Sequence, residues 1–247
     1  MSEFIIANGT NNPVQAPLVP TNVVPYSNHN SMTVYVICEV PERIVRKHLA
    51  PTPFEYVSNR CMIYVNDFSE SEKLPYMDSA ILFEVKYKNI IGALYMYEWE
   101  DNDIAIATGR MWGYPKKYAD IQLSRRGNIV KGTTIRKGAT LIDIEADLSS
   151  SASKTEKPKT FPHLNLLTIP NPDGKSILMQ KVTLRDNSST CKTISDTACK
   201  VKISLNSSDN DPLGDFTPLK VLGGGFSVTD FAATEENGWA KIIDTII

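Results

Sequence analysis

Long apolar runs are missing from this 247-residue sequence. No window approaches the ~18 apolar residues a membrane-spanning helix needs. The first twenty residues also lack a basic start followed by an apolar stretch, so neither a membrane span nor a signal peptide is expected. Charge of one sign is missing too: 26 Lys and Arg against 28 Asp and Glu leave a net charge of −2. Acids and bases are interspersed, which excludes an electrostatic reason to expect nucleic acid or an anionic membrane as partner. Cysteine and histidine are scarce. Cys38, Cys61, Cys191 and Cys199 contain no C-x-x-C, and His29, His48 and His163 complete no zinc set with them. No metal is expected, and reduced thiols in a cytoplasmic protein are the simplest reading. The sequon Asn8-Gly9-Thr10 carries no weight without secretion.

What the sequence does have is β-branched and aromatic residues in short runs, broken by 15 prolines. Residues 1–30, rich in Asn, Pro and Val without a period, read as an extended arm, and 31–247 as a single domain. Strands are expected at 32–38, 61–66, 79–85, 94–99, 104–108, 129–135, 141–146, 164–169, 177–184 and 201–205. In the 94–99 strand, Tyr95, Tyr97 and Trp99 should share one face, with Met96 and Glu98 on the other. Arg136-Lys137-Gly138 reads as a tight hairpin connection and Asn171-Pro172-Asp173-Gly174 as a turn. Ser149–Lys159 reads as a mobile polar loop. A short helix should start near Pro41, present Ile44, Val45, His48 and Leu49 on one face, and stop before Pro51. Trp239, Ile242, Ile243 and Ile246 have helical spacing, which predicts a closing helix. The fold class that follows is α+β and mainly antiparallel, a β-barrel-like core decorated by a few helices.

One run invites chemistry. Lys116 and Lys117 follow Met111-Trp112-Gly113-Tyr114-Pro115, so the lysines sit among bulky aromatics beside a restricted turn. A free lysine, with a pKa of about 10.4, is only about 0.04% neutral at pH 7, and making it mostly neutral needs about 5 kcal/mol. Burial in an apolar pocket shifts a lysine by about 3 to 5 units. A second cation ~6 Å away contributes about 2.8 kcal/mol at an effective dielectric of ~20. Desolvation is therefore expected to do most of the work, the more so because neighbours on a strand point to opposite faces. A neutral Lys116 adds to a ketone and loses water to form an iminium, an electron sink for a leaving CO₂ or proton, with a nearby carboxylic acid handling protons.

The run Gly109-Arg110-Met111-Trp112-Gly113-Tyr114-Pro115-Lys116-Lys117 resembles the signature of the acetoacetate decarboxylase family. Asp101–Ala107, the stretch Pro162–Gly174 with its Ile-Pro-Asn-Pro-Asp-Gly ending, and Arg46-Lys47 followed by Pro51 and Pro53 resemble other family segments, from about Met32 onwards. Acetoacetate decarboxylase is a known example of a lysine activated by a cationic neighbour. The resemblance implies a double-cone β fold, a homo-oligomer, Lys116 as the Schiff-base residue and Lys117 as its pKa-depressing neighbour. Tyr76-Met77-Asp78-Ser79 stands where the family has Tyr-x-Glu-Ser, making Asp78 the shortened equivalent of an active-site glutamate. Two positions depart: Met62 falls near the family's second glutamate, and Ser31, with His29 close by, near its arginine for the substrate carboxylate. Glu98 is a candidate replacement acid or an exposed strand glutamate, and Trp112 and Tyr114 are candidate pocket walls.

Among weaker signals, Gly223-Gly224-Gly225 reads as a tight turn or close backbone contact, His48 as a core or interface histidine and Arg110 as a loop anchor. The functional expectation is a cofactor-free lyase acting on a small β-keto acid such as acetoacetate. A pyruvate aldolase-dehydratase of the same family and a non-catalytic small-molecule binder are the alternatives.

Overall fold

The computed structural model describes residues 17–19 and 23–247. In chain order the elements are β1 (Tyr26–Glu39), α1 (Glu42–Leu49), β2 (Glu55–Asp67), β3 (Met77–Tyr87), β4 (Ile90–Glu100), α2 (Asp103–Met111), β5 (Lys116–Tyr118) and β6 (Asp120–Arg126). There follow β7 (Ile129–Arg136), β8 (Ala139–Ser151), β9 (His163–Pro170), β10 (Ile177–Arg185), β11 (Lys192–Leu205), β12 (Ser207–Ser208), β13 (Asp211–Pro212), β14 (Lys220–Ala233) and β15 (Lys241–Thr245). Most of the expected arm lies outside the described residues, and Tyr26–Asn30 already belong to β1.

Thirteen strands form one sheet in the order β15-β10-β9-β4-β3-β2-β1-β14-β11-β8-β7-β6, with β5 added beside β4. Its pairings are antiparallel except β4 with β5 and β4 with β9. The class is thus the mainly antiparallel α+β one expected, although the curled sheet stops short of a closed barrel and leaves β15 and β6 as edges.

Strands β1, β2 and β3 carry near-continuous buried runs because both their faces are covered. One face (Val34, Val36, Ile63, Val65, Ile81, Phe83) meets Val130, Ile142 and Ile144 of β7 and β8 in the main core. Gly132 makes that approach feasible: a Cβ there would lie 2.7 Å from Val34 and Val65. The other face (Tyr35, Ile37, Met62, Tyr64, Ala80, Leu82) forms a second cluster, and this face supports the cavity described below.

Several local expectations hold. α1 follows Pro41 and buries Ile44, Val45 and Leu49. His48 bonds the Ile44 carbonyl and the Tyr97 hydroxyl and packs on Phe216, as a core histidine does. Lys137 and Gly138, at φ 50° and 81°, make the tight β7–β8 hairpin. The glycine triplet lies inside β14 rather than in a turn, with close backbone contact as the reason: a Cβ on Gly224 or Gly225 would fall 2.4 or 2.2 Å from a carbonyl oxygen.

Three expectations are corrected. Residues 104–108 lie in α2, because the Asn102 side chain caps Ile104 N and Ala105 N, and Ala105, Thr108 and Gly109 are buried at helical spacing. The chain end is a strand: Lys241–Thr245 pairs with β10, and the isoleucines that suggested a helix favour a strand by their β-branching. In β4, a bulge opposite Ile81/Leu82 breaks the alternation. Tyr95 therefore joins the cavity side while Tyr97 and Trp99 enter the main core. The polar segment after Ser151 is irregular but tied down by Thr155 Oγ1 to Leu222 O and Arg60 Nη2 to Glu156 O.

Candidate active site

Strand register brings the acids and Lys116 together. Asp78 on β3 is directly opposite Glu100 on β4. Glu98, two residues earlier on the same face, is opposite Lys116 on the parallel neighbour β5. A parallel pair needs a crossover, and α2 supplies it between β4 and β5. Arg110 Nε, near the helix end, donates to Lys116 O at 2.9 Å and fixes the start of β5, the anchoring role expected of it.

Lys116 Nζ donates to Glu100 Oε1 and lies 3.7 Å from Glu98 Oε1. Asp78, Glu98 and Glu100 place carboxylate oxygens within 4.8 Å of one another, and all three are buried. Tyr64 Oη donates to Asp78 Oδ2 at 3.0 Å. The remaining oxygens, Asp78 Oδ1, Glu98 Oε2 and Glu100 Oε2, have no partner. Three anions cannot all remain ionised in so small a buried volume, so protons must be shared. Burial pushes Asp78 up to about 6, against the opposing pull of Lys116. It pushes Glu100 up to about 7 and Glu98 well above the usual carboxylate range.

The lysine departs from the expectation of an apolar pocket. Burial by itself would lower the Lys116 pKa, but Glu100, Glu98 and Asp78 outweigh it and hold the ammonium above the ordinary lysine value. Cation–π approach to the rings of Tyr114 (5.3 Å) and Tyr76 (5.7 Å) adds to this. The Glu100 carboxylate it touches is the group placed to accept its proton.

Lys117 is not part of this cluster. It faces the other side of β5, beside Trp99 of the core, and its Nζ bonds Asp211 Oδ1 and Asn210 O at 2.8 Å. The expected assistance from a second cation is therefore absent from the geometry around Lys116, because strand alternation separates the pair.

Lys116 borders a cavity of ≈ 200 Å³. Asp78, Glu98, Met62, Trp112 and Tyr114 line it, so six of the seven predicted site residues converge and Lys117 does not. Glu98 is buried, not an exposed strand glutamate. His29 is exposed beside Glu72, and Ser31 is buried with its hydroxyl unpartnered.

The sequence reading missed Glu100, Tyr64, His163 and Arg185. Glu100 had a signal: it stands two residues from Glu98 in one strand, hence on the same face. The others come from strands distant in sequence and had none. His163 bonds Tyr114 Oη through Nδ1 and Tyr95 Oη through Nε2, and Phe161 stacks on its ring. Burial, aided by Arg185 and Lys116, lowers its pKa well below the usual value, which keeps it neutral.

Comparison with known proteins puts this geometry in context. The family model described as acetoacetate decarboxylase (ADC) matches residues 11–239. No curated protein matches the sequence. Among solved structures, an acetoacetate decarboxylase is similar with a TM-score of 0.82 at 19% identity, covering 96% of each chain. The acetoacetate decarboxylase of Legionella pneumophila gives 0.79 at 18% identity, covering 90% of this chain and 88% of that one. The enduracididine biosynthesis enzyme MppR, in complex with the condensation product of pyruvate and imidazole 4-carboxaldehyde, gives 0.72 at 14% identity over 89% of each chain. At these identities the likeness concerns the fold.

Proposed function

Because the chain belongs to the acetoacetate decarboxylase family, we propose that Lys116 forms a Schiff base with a small keto acid, and that decarboxylation of a β-keto acid such as acetoacetate follows. The observation that carries this reading is the Lys116–Glu100 contact at the wall of a cavity holding two more protonatable acids.

The steps use this chain's own groups. Glu100 takes a proton from the Lys116 ammonium, and the amine adds to the keto carbon to give a carbinolamine. Asp78 or Glu98, carboxylic acids by virtue of their raised pKa values, donates a proton to the departing hydroxyl. Water leaves and the iminium forms. The electrons of the breaking C–C bond move into the iminium as CO₂ departs, leaving an enamine. A carboxylic acid of the cluster protonates its carbon, and water then hydrolyses the iminium to release the ketone and Lys116. No cofactor is required, since the iminium is the electron sink. Met62, Trp112 and Tyr114 act as walls that exclude water, and Lys117 supports β5 through Asp211 rather than acting on substrate.

Incubation with acetoacetate and borohydride should fix the adduct on Lys116, located by peptide mass, and Lys116→Met should abolish it. No adduct in the wild type would sink every imine reading and leave a non-catalytic binder.

Cavity size favours a second reading, the pyruvate aldolase-dehydratase. An apolar cavity of about 150 Å³ holds benzene, so ≈ 200 Å³ exceeds the need of acetoacetate. Product analysis separates the two: CO₂ from acetoacetate supports the first, a condensed enone from pyruvate plus an aldehyde the second.

We also propose residues 31–247 as one domain in a homo-oligomer, with the small keto acid as partner and neither nucleic acid nor membrane. No helix among the described residues is long and apolar enough to cross a membrane. The cytoplasm is our proposed location, supported by four free cysteines.

A further inference from the structure

We propose that Arg185 binds the substrate carboxylate, in place of the arginine whose expected position is held by Ser31. This rests on the keto-acid reading above. Arg185 ends β10 and is buried. Its Nε donates to Gly238 O at 2.7 Å, its Nη2 donates to Tyr26 Oη at 3.0 Å, and its Cζ lies 4.7 Å from the Trp112 ring centroid. All of these partners are neutral. Among the described residues no carboxylate lies within 4.0 Å of it. A buried guanidinium without an acid is unusual, because buried charges are normally paired.

The cavity gives an anion access to Arg185. Arg185 lines it, and so does Asn187, also buried, whose Oδ1 has no partner. Among the described residues lining it, the only basic ones apart from neutral His163 are Lys116 and Arg185. Lys116 is already paired with Glu100 and flanked by Glu98 and Asp78, so its charge is taken up within the chain. Both cations act on the same two phenols, Tyr76 and Tyr114, so they border one space. A keto acid is therefore oriented with its carbonyl at Lys116 and its carboxylate at the fork of Arg185, a planar donor matched to a planar acceptor.

The contact has a consequence for chemistry. Charge leaves the carboxylate as CO₂ forms, so Arg185 stabilises the bound acid more than the transition state for its loss. Its removal should raise KM for acetoacetate without an equal fall in kcat.

The test compares ligands that differ in the carboxylate. In Arg185→Gln the half-saturating acetoacetate concentration for borohydride trapping should rise about 10-fold or more. Adduct formation with acetylacetone, a neutral diketone, should stay within about 2-fold, and Arg185→Lys should recover part of the loss. Wild-type protein, whose result stands even if Arg185→Gln does not fold, should take acetoacetate in preference to methyl acetoacetate. Unchanged acetoacetate saturation in Arg185→Gln, or no preference for the acid in the wild type, overturns the assignment. If the wild type forms no adduct with any of them, the imine reading fails instead. Calorimetric titration of acetoacetate against methyl acetoacetate then still reads the preference for the acid.

Discussion

Glu100 changes what Lys116 must do to become a nucleophile. In the proposed mechanism a carboxylate in contact lets the neutral amine arise by internal proton transfer, and Asp78 or Glu98 serves as the acid for dehydration. Raising the pH through about 7 turns Glu100 into that accepting carboxylate, while Glu98, held well above the usual carboxylate range by burial, stays the acid. Imine formation should therefore rise as the pH climbs towards about 7, and Glu100→Gln should slow it by roughly 10²-fold or more and abolish that limb, as read by stopped-flow trapping. The same group bears on stability. Its folded pKa of about 7 lies above its ordinary 4.5, so its contribution is fully present below about pH 4.5 and is lost as pH rises through about 7. That loss amounts to about 3 kcal/mol. Urea unfolding at pH 5 and pH 8 should show the decline in wild type and a flatter profile in Glu100→Gln. An equal slope in both would remove Glu100 as its source. Lys116 and Asp78 were legible from local residue runs and Glu98 from its place in the strand before the lysines, whereas Glu100 was missed although alternation puts it on the same face as Glu98. Arg185 and His163 were not legible, because only the sheet order brings β9 beside β4 and β10 beside β9.

At the scale of elements, α2 and the β4 bulge decide the site. Both were misread for one reason: Ile-rich and aromatic runs suit strands by propensity, while capping and a one-residue insertion are set by pairing and burial. Asn102 starts the helix, and the helix must end close to Lys116 for β5 to lie parallel to β4. Gly109 is the point of closest approach. A Cβ there would lie 2.3 Å from Lys116 Cδ and Cε and 2.9 Å from Nζ. The atoms it meets belong to a flexible side chain, and alanine is the better helix former by about 1 kcal/mol. Gly109→Ala should therefore leave the melting temperature within a few degrees of wild type while displacing the Lys116 ammonium from Glu100. Adduct formation should fall by roughly 10-fold or more. A variant that melts normally and traps acetoacetate at the wild-type rate would show that α2 does not position the lysine.

For the whole molecule, composition and strand spacing revealed the class but not the order of the sheet, which depends on pairings between residues far apart in sequence, such as β1 with β14. Nor could they show that the curl stays open. An open sheet has edges, and a flat apolar edge strand invites another chain to pair with it. β15 is an open edge, pairing only with β10. Around it Leu178 is 59% exposed and Ile242 55%, with Ile177, Ile246 and Ile247 also exposed. The opposite edge, β6, is protected by charge, with Asp120, Arg125 and Arg126 all exposed. Assembly of identical subunits should therefore run through β15 and β10. Light scattering at micromolar concentration should give a multiple of the 27.5 kDa chain mass, and Leu178→Glu with Ile242→Lys should reduce it to one chain. Both side chains are exposed in the isolated subunit, so the pair should cost the monomer fold no more than about 0.5 kcal/mol each. Lys116 adduct formation should persist, because neither Leu178 nor Ile242 lines the cavity. A wild-type protein that scatters as a single chain would refute assembly, and an unchanged mass in the double variant would move the interface elsewhere.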